Sequence, residues 1–364
     1  MTNKKQKGCL FNRQIYSIFL LLFHLIGFFS CYAMCLYTLL ETVNKIMVAT
    51  FFRIKSISRN VNILFCSLER VVVLLRAINN QKKMSETAQL KRTAVQIRRD
   101  IVRMVHAVQS GHPGGSLGCA DIFTALYFEH MDLKGTSFNL NGEGEDLFFL
   151  SNGHISPVWY ATLARKGFFE VSELNTFRKI NSRLQGHPAT EEGLEGIRIA
   201  SGSLGQGLSA ASGAALTKKL NNDDKLVYVL MGDGEQQEGQ IWEAAMFAAH
   251  HKIDNLIGII DWNNRQIDGD VEDIMSLNDL RAKYESFGWD VLEMNGNDMV
   301  EVLKVLKKAK AAAGHQKPIM ILAKTEMGQG VDFMMRSHAW HGIAPSDDQL
   351  EQALLQLEET LGDY

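Results

Sequence analysis

Hydrophobic positions predict a domain in which helices and strands alternate. Val95, Ile101, Val105 and Val108 recur at helical spacing and predict an amphipathic helix over about 87–110. Short apolar runs predict buried strands at 147–150, 226–231, 256–260, 291–294 and 319–323. Helical patterns fall near 156–166, 204–220, 238–250, 277–287, 298–313 and 346–361. This alternation predicts one α/β domain over 84–364, a three-layer α/β/α arrangement with a mainly parallel sheet.

The first 83 residues have a different pattern. Residues 15–40 are almost wholly apolar, and no formal charge falls between Arg13 and Glu41. That length is enough for a helix to span a hydrocarbon core of about 30 Å. Two interpretations stay open: a membrane anchor, or a spurious extension from a start codon assigned too far upstream. The abrupt change at Met84 to a Ser- and Glu-rich helix start favours the extension.

Charge and cysteine separate the same two parts of the chain. Residues 1–83 carry a net charge of +10 and the remainder −13, which together give the total of −3. Nothing in that total indicates a nucleic acid partner. Only Cys119 lies beyond residue 83, so this part cannot form an internal disulfide. We therefore expect it to lie in a reducing cytoplasm.

The most informative residues are Gly232-Asp233-Gly234, directly after the predicted strand 226–231. Asn263 follows the next strand after about thirty residues, the length of a strand, a crossover helix and a strand. Ligands of open α/β sheets bind at the carboxyl ends of strands, so Asp233 and Asn263 should meet at one edge. A carboxylate and an amide oxygen there can hold Mg²⁺ together with diphosphate oxygens and a main-chain carbonyl. By itself, the tripeptide is also a common turn former.

Six short segments of the sequence resemble those of a known protein family. In chain order they are Ser110-Gly111-His112-Pro113-Gly114, Ser151-Asn152-Gly153-His154, Gly186-His187-Pro188, Gly202-Ser203-Leu204-Gly205-Gln206-Gly207, Gln237-Glu238-Gly239 and His341-Gly342. Together with the Gly-Asp-Gly tripeptide, these segments resemble transketolases over essentially all of 84–364. The resemblance implies the thiamine-diphosphate-binding fold, and within it the domain type that binds the diphosphate.

The resemblance also implies roles for individual residues. It makes Asp233, Asn263 and the carbonyl of Arg265 the metal ligands. It assigns cofactor contacts to His154, Gly202, Leu204, Gly234, Asn263 and His341. Histidines can donate to phosphate or sugar hydroxyls and exchange protons near neutral pH, as ketol transfer requires. It accordingly assigns catalytic or substrate-facing roles to His112, His187 and His341, and places Glu238 in an acidic network between two sites of a dimer.

A further expectation concerns a partner chain. Thiamine diphosphate supplies the carbanion chemistry, and transketolases activate its pyrimidine ring with a glutamate from a second α/β domain. The sequence ends at Tyr364, soon after the predicted helix 346–361, so we expect a split enzyme. This chain would bind the diphosphate and Mg²⁺, or Ca²⁺ or Mn²⁺ in its place. A C-terminal transketolase subunit would bring the pyrimidine-binding domain, in an α2β2 heterotetramer that acts on sugar phosphates.

Three alternatives to an ordinary transketolase stay open. The first is an enzyme like deoxyxylulose phosphate synthase, which shares the cofactor and several histidine segments. The second is a ketol transferase for an unusual sugar phosphate, for example a branched or sulfonated one. The third is a non-catalytic, cofactor-binding scaffold.

Overall fold

The computed structural model describes residues 60–135 and 138–364, with side chains described from Met84 onward. By compactness the chain divides into two units, Met1–Asn80 and Gln81–Tyr364. Residues 15–40 lie outside the described residues, so both interpretations of the first 83 residues stay predictions. In the described part of the chain, the helices lack the combination of length and apolarity that crossing a bilayer requires.

Five parallel strands form the sheet of the second unit. They are β1 (Leu147–Leu150), β2 (Val227–Gly232), β3 (Leu256–Trp262), β6 (Asp290–Asn295) and β7 (Ile319–Lys324). A hairpin of β4 (Arg265–Gln266) and β5 (Gly269–Asp270) follows β3. The order across the sheet is β1-β2-β3-β7-β6. Four of the five strands, β6 being the exception, are buried at nearly every position. This explains why the sequence shows continuous apolar runs rather than alternation.

Helices cover the sheet in two groups. Their bounds are α1 (Asn60–Val108), α2 (Pro113–Ala125), α3 (Ser156–Lys166), α4 (Gln206–Leu220), α5 (Gly239–His250), α6 (Val271–Met275), α7 (Leu280–Ser286), α8 (Met299–Ala312) and α9 (Asp347–Gln356). One group contains α4 and α5, with α4 packed on β1, β2 and β3. The other contains α3 and α8 packed on α2, which contacts β3. The fold is the predicted three-layer α/β/α sandwich with a parallel sheet.

The helical pattern in the sequence misses α2. Gly114, Gly115 and Gly118 are poor helix formers, which hides the helix from a propensity argument. All 13 residues of α2 are nevertheless buried. A Cβ built at Gly114 would lie 2.5 Å from Cγ of Met327, and one at Gly118 would lie 3.0 Å from the carbonyl oxygen of Glu326. Glycine therefore lets α2 approach the segment after β7 directly.

Two helix boundaries also differ from the predictions. The first helix begins at Asn60 rather than near residue 87. The last helix ends at Gln356 rather than near residue 361. The main-chain N–H groups of Thr360 and Leu361 donate to Oε1 of Gln96 at 2.9 and 3.0 Å. Because that side chain on α1 takes up these donors, the last residues pack on α1 instead of extending α9.

The carboxyl ends of β2 and β3 lie side by side. Gly232 pairs with Asp261 in the parallel register, so the residues that follow each strand meet at one edge of the sheet. The residue after β1 joins the same edge, since the N–H of Ser151 donates to the carbonyl of Leu230 at 2.8 Å. This is the edge at which open α/β sheets bind their ligands.

Candidate active site at the carboxyl edge of the sheet

The carboxylate of Asp233 lies just beyond β2 and is surrounded by main-chain N–H groups. Its Oδ1 accepts from Gly234 N at 2.7 Å, and its Oδ2 accepts from Asn264 N at 2.5 Å. The N–H of Asn263 also faces this carboxylate. The loop after β3 is therefore folded around a carboxylate from the turn after β2. The structure brings Asp233 and Asn263 together, as the strand order requires.

Neighbouring groups orient the side chain of Asn263. Its Nδ2 donates to Oδ2 of Asp261 at 2.9 Å, and its Oδ1 accepts from the N–H of Arg265 at 2.8 Å. The guanidinium of Arg265 binds Asp270 across the β4–β5 hairpin. These contacts fix which end of the amide is the oxygen and hold the backbone of Arg265 beside it. Asn263 and Arg265 are thus neighbours at the edge where the sequence predicts a cation.

Asp261 is a second buried carboxyl group at this edge, and the sequence analysis missed it. It is 2 % exposed and accepts hydrogen bonds from Asn263 and Thr325. Burial, followed by the negative charge of Asp261, raises the pKa of Asp233 to about 8. Burial raises the pKa of Asp261 to about 6. The sequence signal was its position: Asp261 ends the apolar run of β3 directly before Asn263.

This donor set suits a hard divalent cation. The groups that oppose the pKa shift of Asp233 are main-chain N–H groups rather than a Lys or Arg side chain, so a cation would supply the missing positive charge. Within the described residues, no group of three or more His, Cys, Asp or Glu side chains has metal-binding geometry. A site built here would combine one carboxylate, one amide oxygen and a carbonyl, and would leave positions for diphosphate oxygens, as Mg²⁺ prefers.

Four histidines from four separate segments form a cluster at the same edge. The ring of His112 lies 5.1 Å from that of His154, 5.6 Å from that of His341 and 6.4 Å from that of His187, centroid to centroid. The rings of His154 and His341 are 4.9 Å apart. His112 precedes α2, His154 follows β1, His187 lies in the loop after α3, and His341 ends a short 3-10 helix. The structure therefore brings together all four predicted histidines.

The surroundings of the four histidines favour the neutral form of each imidazole. Burial is the first cause that lowers the pKa of each ring: to about 4 for His112, well below the usual range for His154, and downward for His187 and His341. The positive charge of Arg178 lowers the pKa of His112 and His187 further. Arg178, which the sequence analysis missed, donates to Oγ of Ser110 at 2.9 Å. Neutral rings can both donate and accept hydrogen bonds toward a sugar substrate.

The glycine-rich loop before α4 lies exposed beside this edge. Gly202 and Leu204 are exposed, and no described atom lies within 4 Å of a Cβ built at Gly202. Gly205 has φ of +85°, a left-handed conformation that favours glycine. The exposed Glu238 precedes α5, and its Cβ would lie 3.0 Å from a Cβ at Gly205. The loop thus exposes main-chain groups together with the side chain of Leu204.

Glu235 is another buried carboxylate that the sequence analysis missed. It is 2 % exposed and accepts hydrogen bonds from Ser151, Gly205 and Gly232. These three residues belong to the end of β1, the glycine-rich loop and the end of β2. From the sequence alone, a Glu two residues beyond Asp233 is indistinguishable from a surface carboxylate.

Several buried polar atoms around this edge lack a hydrogen-bond partner among the described residues. They are Nδ1 of His112, Nδ1 of His341, Oδ1 of Asn152, Oγ of Ser201 and Nε2 of Gln266. Buried polar atoms are normally paired, so a group of unpaired ones along one edge is what a polar ligand or water would satisfy. Glycine also lets main chains approach here, because a Cβ at Gly153 would lie 1.7 Å from the Ser201 carbonyl oxygen. The residues present therefore fit a polar ligand that both donates and accepts hydrogen bonds.

The arrangement can hold a divalent cation on one side and a hydroxylated substrate on the other. The two parts are contiguous: a Cβ at Gly342 would lie 3.2 Å from Ile267, in the hairpin after β3, and 3.6 Å from the ring of His112. The hairpin that follows Asn263 therefore adjoins the histidine cluster, and the glycine-rich loop reaches the same edge through the close approach of Ser201 to Gly153. Neutral imidazoles beside a cation-bound anion suit proton exchange with sugar oxygens.

Comparison with known proteins decides the family. The transketolase thiamine diphosphate binding domain matches residues 90–359. The chain belongs to the transketolase family. This confirms the resemblance drawn from the six segments, and it identifies the sheet edge described above as part of a thiamine diphosphate binding domain.

Two relatives of this transketolase-family chain are single subunits. It is 39 % identical over 269 residues to a subunit of the apulose-4-phosphate transketolase of Phocaeicola vulgatus, covering 72 % of this chain and 92 % of the relative. It is 37 % identical over 270 residues to a 6-deoxy-6-sulfo-D-fructose transketolase subunit of a Clostridium species, covering 74 % and 96 %. Both relatives are named as subunits, and the match spans nearly the full length of each relative.

A solved structure gives the same family with a longer chain. The transketolase of Campylobacter jejuni superposes with a TM-score of 0.68 at 34 % identity, covering 74 % of this chain and 42 % of that one. The chain thus spans about two fifths of the length of that transketolase. The likeness confirms the α/β fold.

Proposed function

We propose that this chain is the diphosphate- and metal-binding subunit of a two-chain transketolase, which transfers a two-carbon ketol unit from a ketose phosphate to an aldose phosphate. The observation that carries the proposal is the convergence of Asp233, Asn263 and the four-histidine cluster on one sheet edge of a transketolase-family fold. The names of the two subunit relatives support the division into two chains.

In this proposal the strand-end residues bind the cation. Oxygen atoms of Asp233 and Asn263 and the carbonyl of Arg265 would hold Mg²⁺, or Ca²⁺ or Mn²⁺ in its place. Gly202, Leu204, Gly234 and His154 would line the cofactor. The exposed loop around Gly202 and the close packing of Gly234 against Gln266, whose Nε2 is unpaired among the described residues, support this role.

The histidines would act on the substrate side. Thiamine diphosphate, when bound, supplies the carbanion chemistry of the reaction. His112, His187 and His341 would orient sugar oxygens and move protons at their ring nitrogens, and His341 would also contact the diphosphate. Their lowered pKa values support neutral rings that can donate from one nitrogen and accept at the other.

The partner would complete the site. A C-terminal transketolase subunit with the pyrimidine-binding domain would pair with this chain, and a symmetric α2β2 assembly would place its sites at chain interfaces. Glu238 is exposed at the start of α5, where its carboxylate is accessible to another chain, and it would join an acidic network there. The single buried Cys119 of the described residues supports a location in a reducing cytoplasm.

Calorimetry tests the cofactor part of the proposal. Thiamine diphosphate is titrated into the full chain with and without Mg²⁺, both in isolation and with the partner present. We expect Mg²⁺-dependent binding by the native chain, and its loss in Asp233→Asn. Asp348→Asn is the control, because that carboxylate is exposed on α9 and lies outside the site. A native chain that binds no cofactor in either setting would overturn the proposal and leave the scaffold alternative.

Transfer assays test the reaction. The reconstituted pair receives a panel of donors and acceptors that includes ordinary, branched and sulfonated sugar phosphates. Formation of an extended ketose from an aldose acceptor supports ketol transfer and names the sugar. Pyruvate as the required donor would instead support an activity like that of deoxyxylulose phosphate synthase. A pair that binds the cofactor but turns over none of these substrates would refute the transfer reaction.

A further inference from the structure

We propose that Glu235 is the positioning residue that holds the glycine-rich loop, and with it the cofactor-facing segments after β1 and β2, in one fixed arrangement. The inference rests on the proposed cofactor site. It concerns a residue that touches neither metal nor substrate in that site and acts through the main chain of its neighbours.

Glu235 ties together three segments that are far apart in sequence. Its Oε1 accepts from Gly205 N at 2.7 Å and also from the hydroxyl of Ser151. Its Oε2 accepts from Gly232 N at 3.0 Å. The hydroxyl oxygen of Ser151 in turn accepts from Gly207 N at 3.0 Å. One buried carboxylate therefore fixes the loop at two points, directly at Gly205 and through Ser151 at Gly207.

The direction of these hydrogen bonds follows from the donors. Gly205 and Gly232 offer main-chain N–H groups, which can only donate. The hydroxyl of Ser151 accepts from Gly207 N and donates its own proton to Oε1 of Glu235. All three neighbours are donors, and the side chain opposite them must accept on both oxygens. Two carboxyl oxygens meet this requirement, whereas the NH2 group of an amide would place a hydrogen against one of the donors.

Each segment tied to Glu235 leads into a residue of the proposed site. Ser151 begins the segment that contains His154. Gly205 lies in the loop that presents Gly202 and Leu204, and Gly232 directly precedes Asp233. Glu235 itself is 2 % exposed, so it offers almost no surface to a ligand. Its effect on the cofactor must therefore pass through loop geometry.

Ser151 and Gly207 are packed in close contact, which leaves no room for a side chain at Gly207. A Cβ built at Gly207 would lie 2.3 Å from Cβ of Ser151 and 2.4 Å from its hydroxyl oxygen. The start of α4 is thus pressed directly on the end of β1. If Glu235 no longer accepts from Gly205, the loop before α4 loses its direct tether.

Glu235→Gln is the main test, because it keeps the size of the side chain and replaces one acceptor with an NH2 group. Two measurements are made on the full chain. Hydrogen exchange followed by mass spectrometry reports protection of the amides of residues 202–207 without cofactor. Calorimetry reports the dissociation constant for thiamine diphosphate with Mg²⁺. We expect exchange of the loop amides to speed up and the dissociation constant to rise by about tenfold or more, because an unsatisfied buried hydrogen-bonding group is costly.

Asp146→Asn is the matched control. Asp146 is also a buried carboxylate, 1 % exposed, that accepts from two main-chain N–H groups, those of Leu226 and Asp132 at 2.8 and 2.9 Å. It precedes β1 and so lies at the amino edge of the sheet, away from the site. We expect this variant to lower the melting temperature and to leave loop exchange and cofactor affinity unchanged. Equal effects of the two variants on loop and cofactor would overturn the inference.

Ser151→Ala keeps the inference testable if Glu235→Gln does not fold. It removes the hydroxyl that bridges Glu235 and Gly207 and leaves a smaller side chain in the same place. Ser212→Ala is its control, because that buried hydroxyl on α4 donates to the Leu208 carbonyl at 2.7 Å within the helix. We expect faster loop exchange and weaker cofactor binding in the first variant only. Unchanged exchange and affinity in Ser151→Ala would refute the positioning role.

The outcomes separate this inference from the proposed function. If the native chain binds no cofactor, the proposed function fails, and loop exchange in the variants still reports on Glu235. If the native chain binds the cofactor and Glu235→Gln binds it equally well with equal loop protection, only the role of Glu235 fails.

Discussion

Replacing His112 with glutamine should make the fold less sensitive to acid. Burial is the largest cause that lowers the pKa of His112 from its ordinary value of 6.5 to about 4, and the positive charges of His341, Arg178 and His187 act in the same direction. The folded state therefore resists protonation where the unfolded chain accepts a proton. Stability contributed by the neutral ring is complete above pH 6.5 and is lost as the pH falls from 6.5 toward 4.

The size of the effect follows from these two pKa values. At pH 5.5 the difference between 6.5 and about 4 corresponds to a loss of about 1.4 kcal/mol in the free energy of unfolding. Water at the exposed part of the ring reduces this to about 1 kcal/mol. Glutamine keeps a polar side chain of similar length and has no proton to gain in this range. The variant should therefore lose about 1 kcal/mol less than the native chain between pH 7.5 and 5.5.

Urea unfolding of both proteins at the two pH values measures this difference. Each protein is compared with itself, so any cost of the substitution at pH 7.5 cancels. His315→Gln is the control, because it makes the same chemical change at an exposed ring outside the cluster. If His112→Gln loses as much stability on acidification as the native chain, the cluster does not hold a neutral ring at this position.

Three other substitutions test separate parts of the site. His187→Ala should raise the KM of the reconstituted enzyme for its sugar donor by about 3- to 10-fold, the value of one hydrogen bond. Cofactor affinity should stay unchanged, because His187 is the exposed member of the cluster. A matching loss of cofactor affinity would contradict this prediction. Gly153→Ala should lower the melting temperature and weaken cofactor binding, since its Cβ would lie 1.7 Å from the Ser201 carbonyl oxygen. Gly213→Ala should instead stabilise the chain by about 0.5–1 kcal/mol in thermal unfolding. Gly213 lies inside α4, and no described atom lies within 4 Å of a Cβ built there. A destabilised variant would contradict this prediction.

The strand ends were predictable from the sequence for a physical reason. A parallel sheet needs buried apolar strands and crossovers of nearly fixed length, so the positions of Asp233 and Asn263 along the chain fix their place at one edge. The structure confirms their proximity. The histidine cluster is different, because no spacing rule connects His112 with His341. Only the resemblance to transketolases brought those two residues together before the structure did.

Two carboxyl groups that the sequence analysis missed share one property. Glu235 and Asp261 are charged groups whose importance comes from burial, and burial is set by the packing of distant segments rather than by local sequence. The helix α2 was missed for a related reason, because Gly114 and Gly118 lower helix propensity but permit the close packing that stabilises the helix. Tertiary contacts outweigh local preference at all of these positions.

The turn that contains Asp233 and Glu235 has a consequence for how the site responds to mutation. One of these carboxylates faces the loop after β3, and the other tethers the loop before α4, yet only a single residue separates them. Any change that shifts this turn displaces both loops at once. Substitutions in residues 232–235 should therefore show strongly non-additive free energies in double-mutant cycles, whereas pairs of changes drawn from the two loops alone should combine more nearly independently.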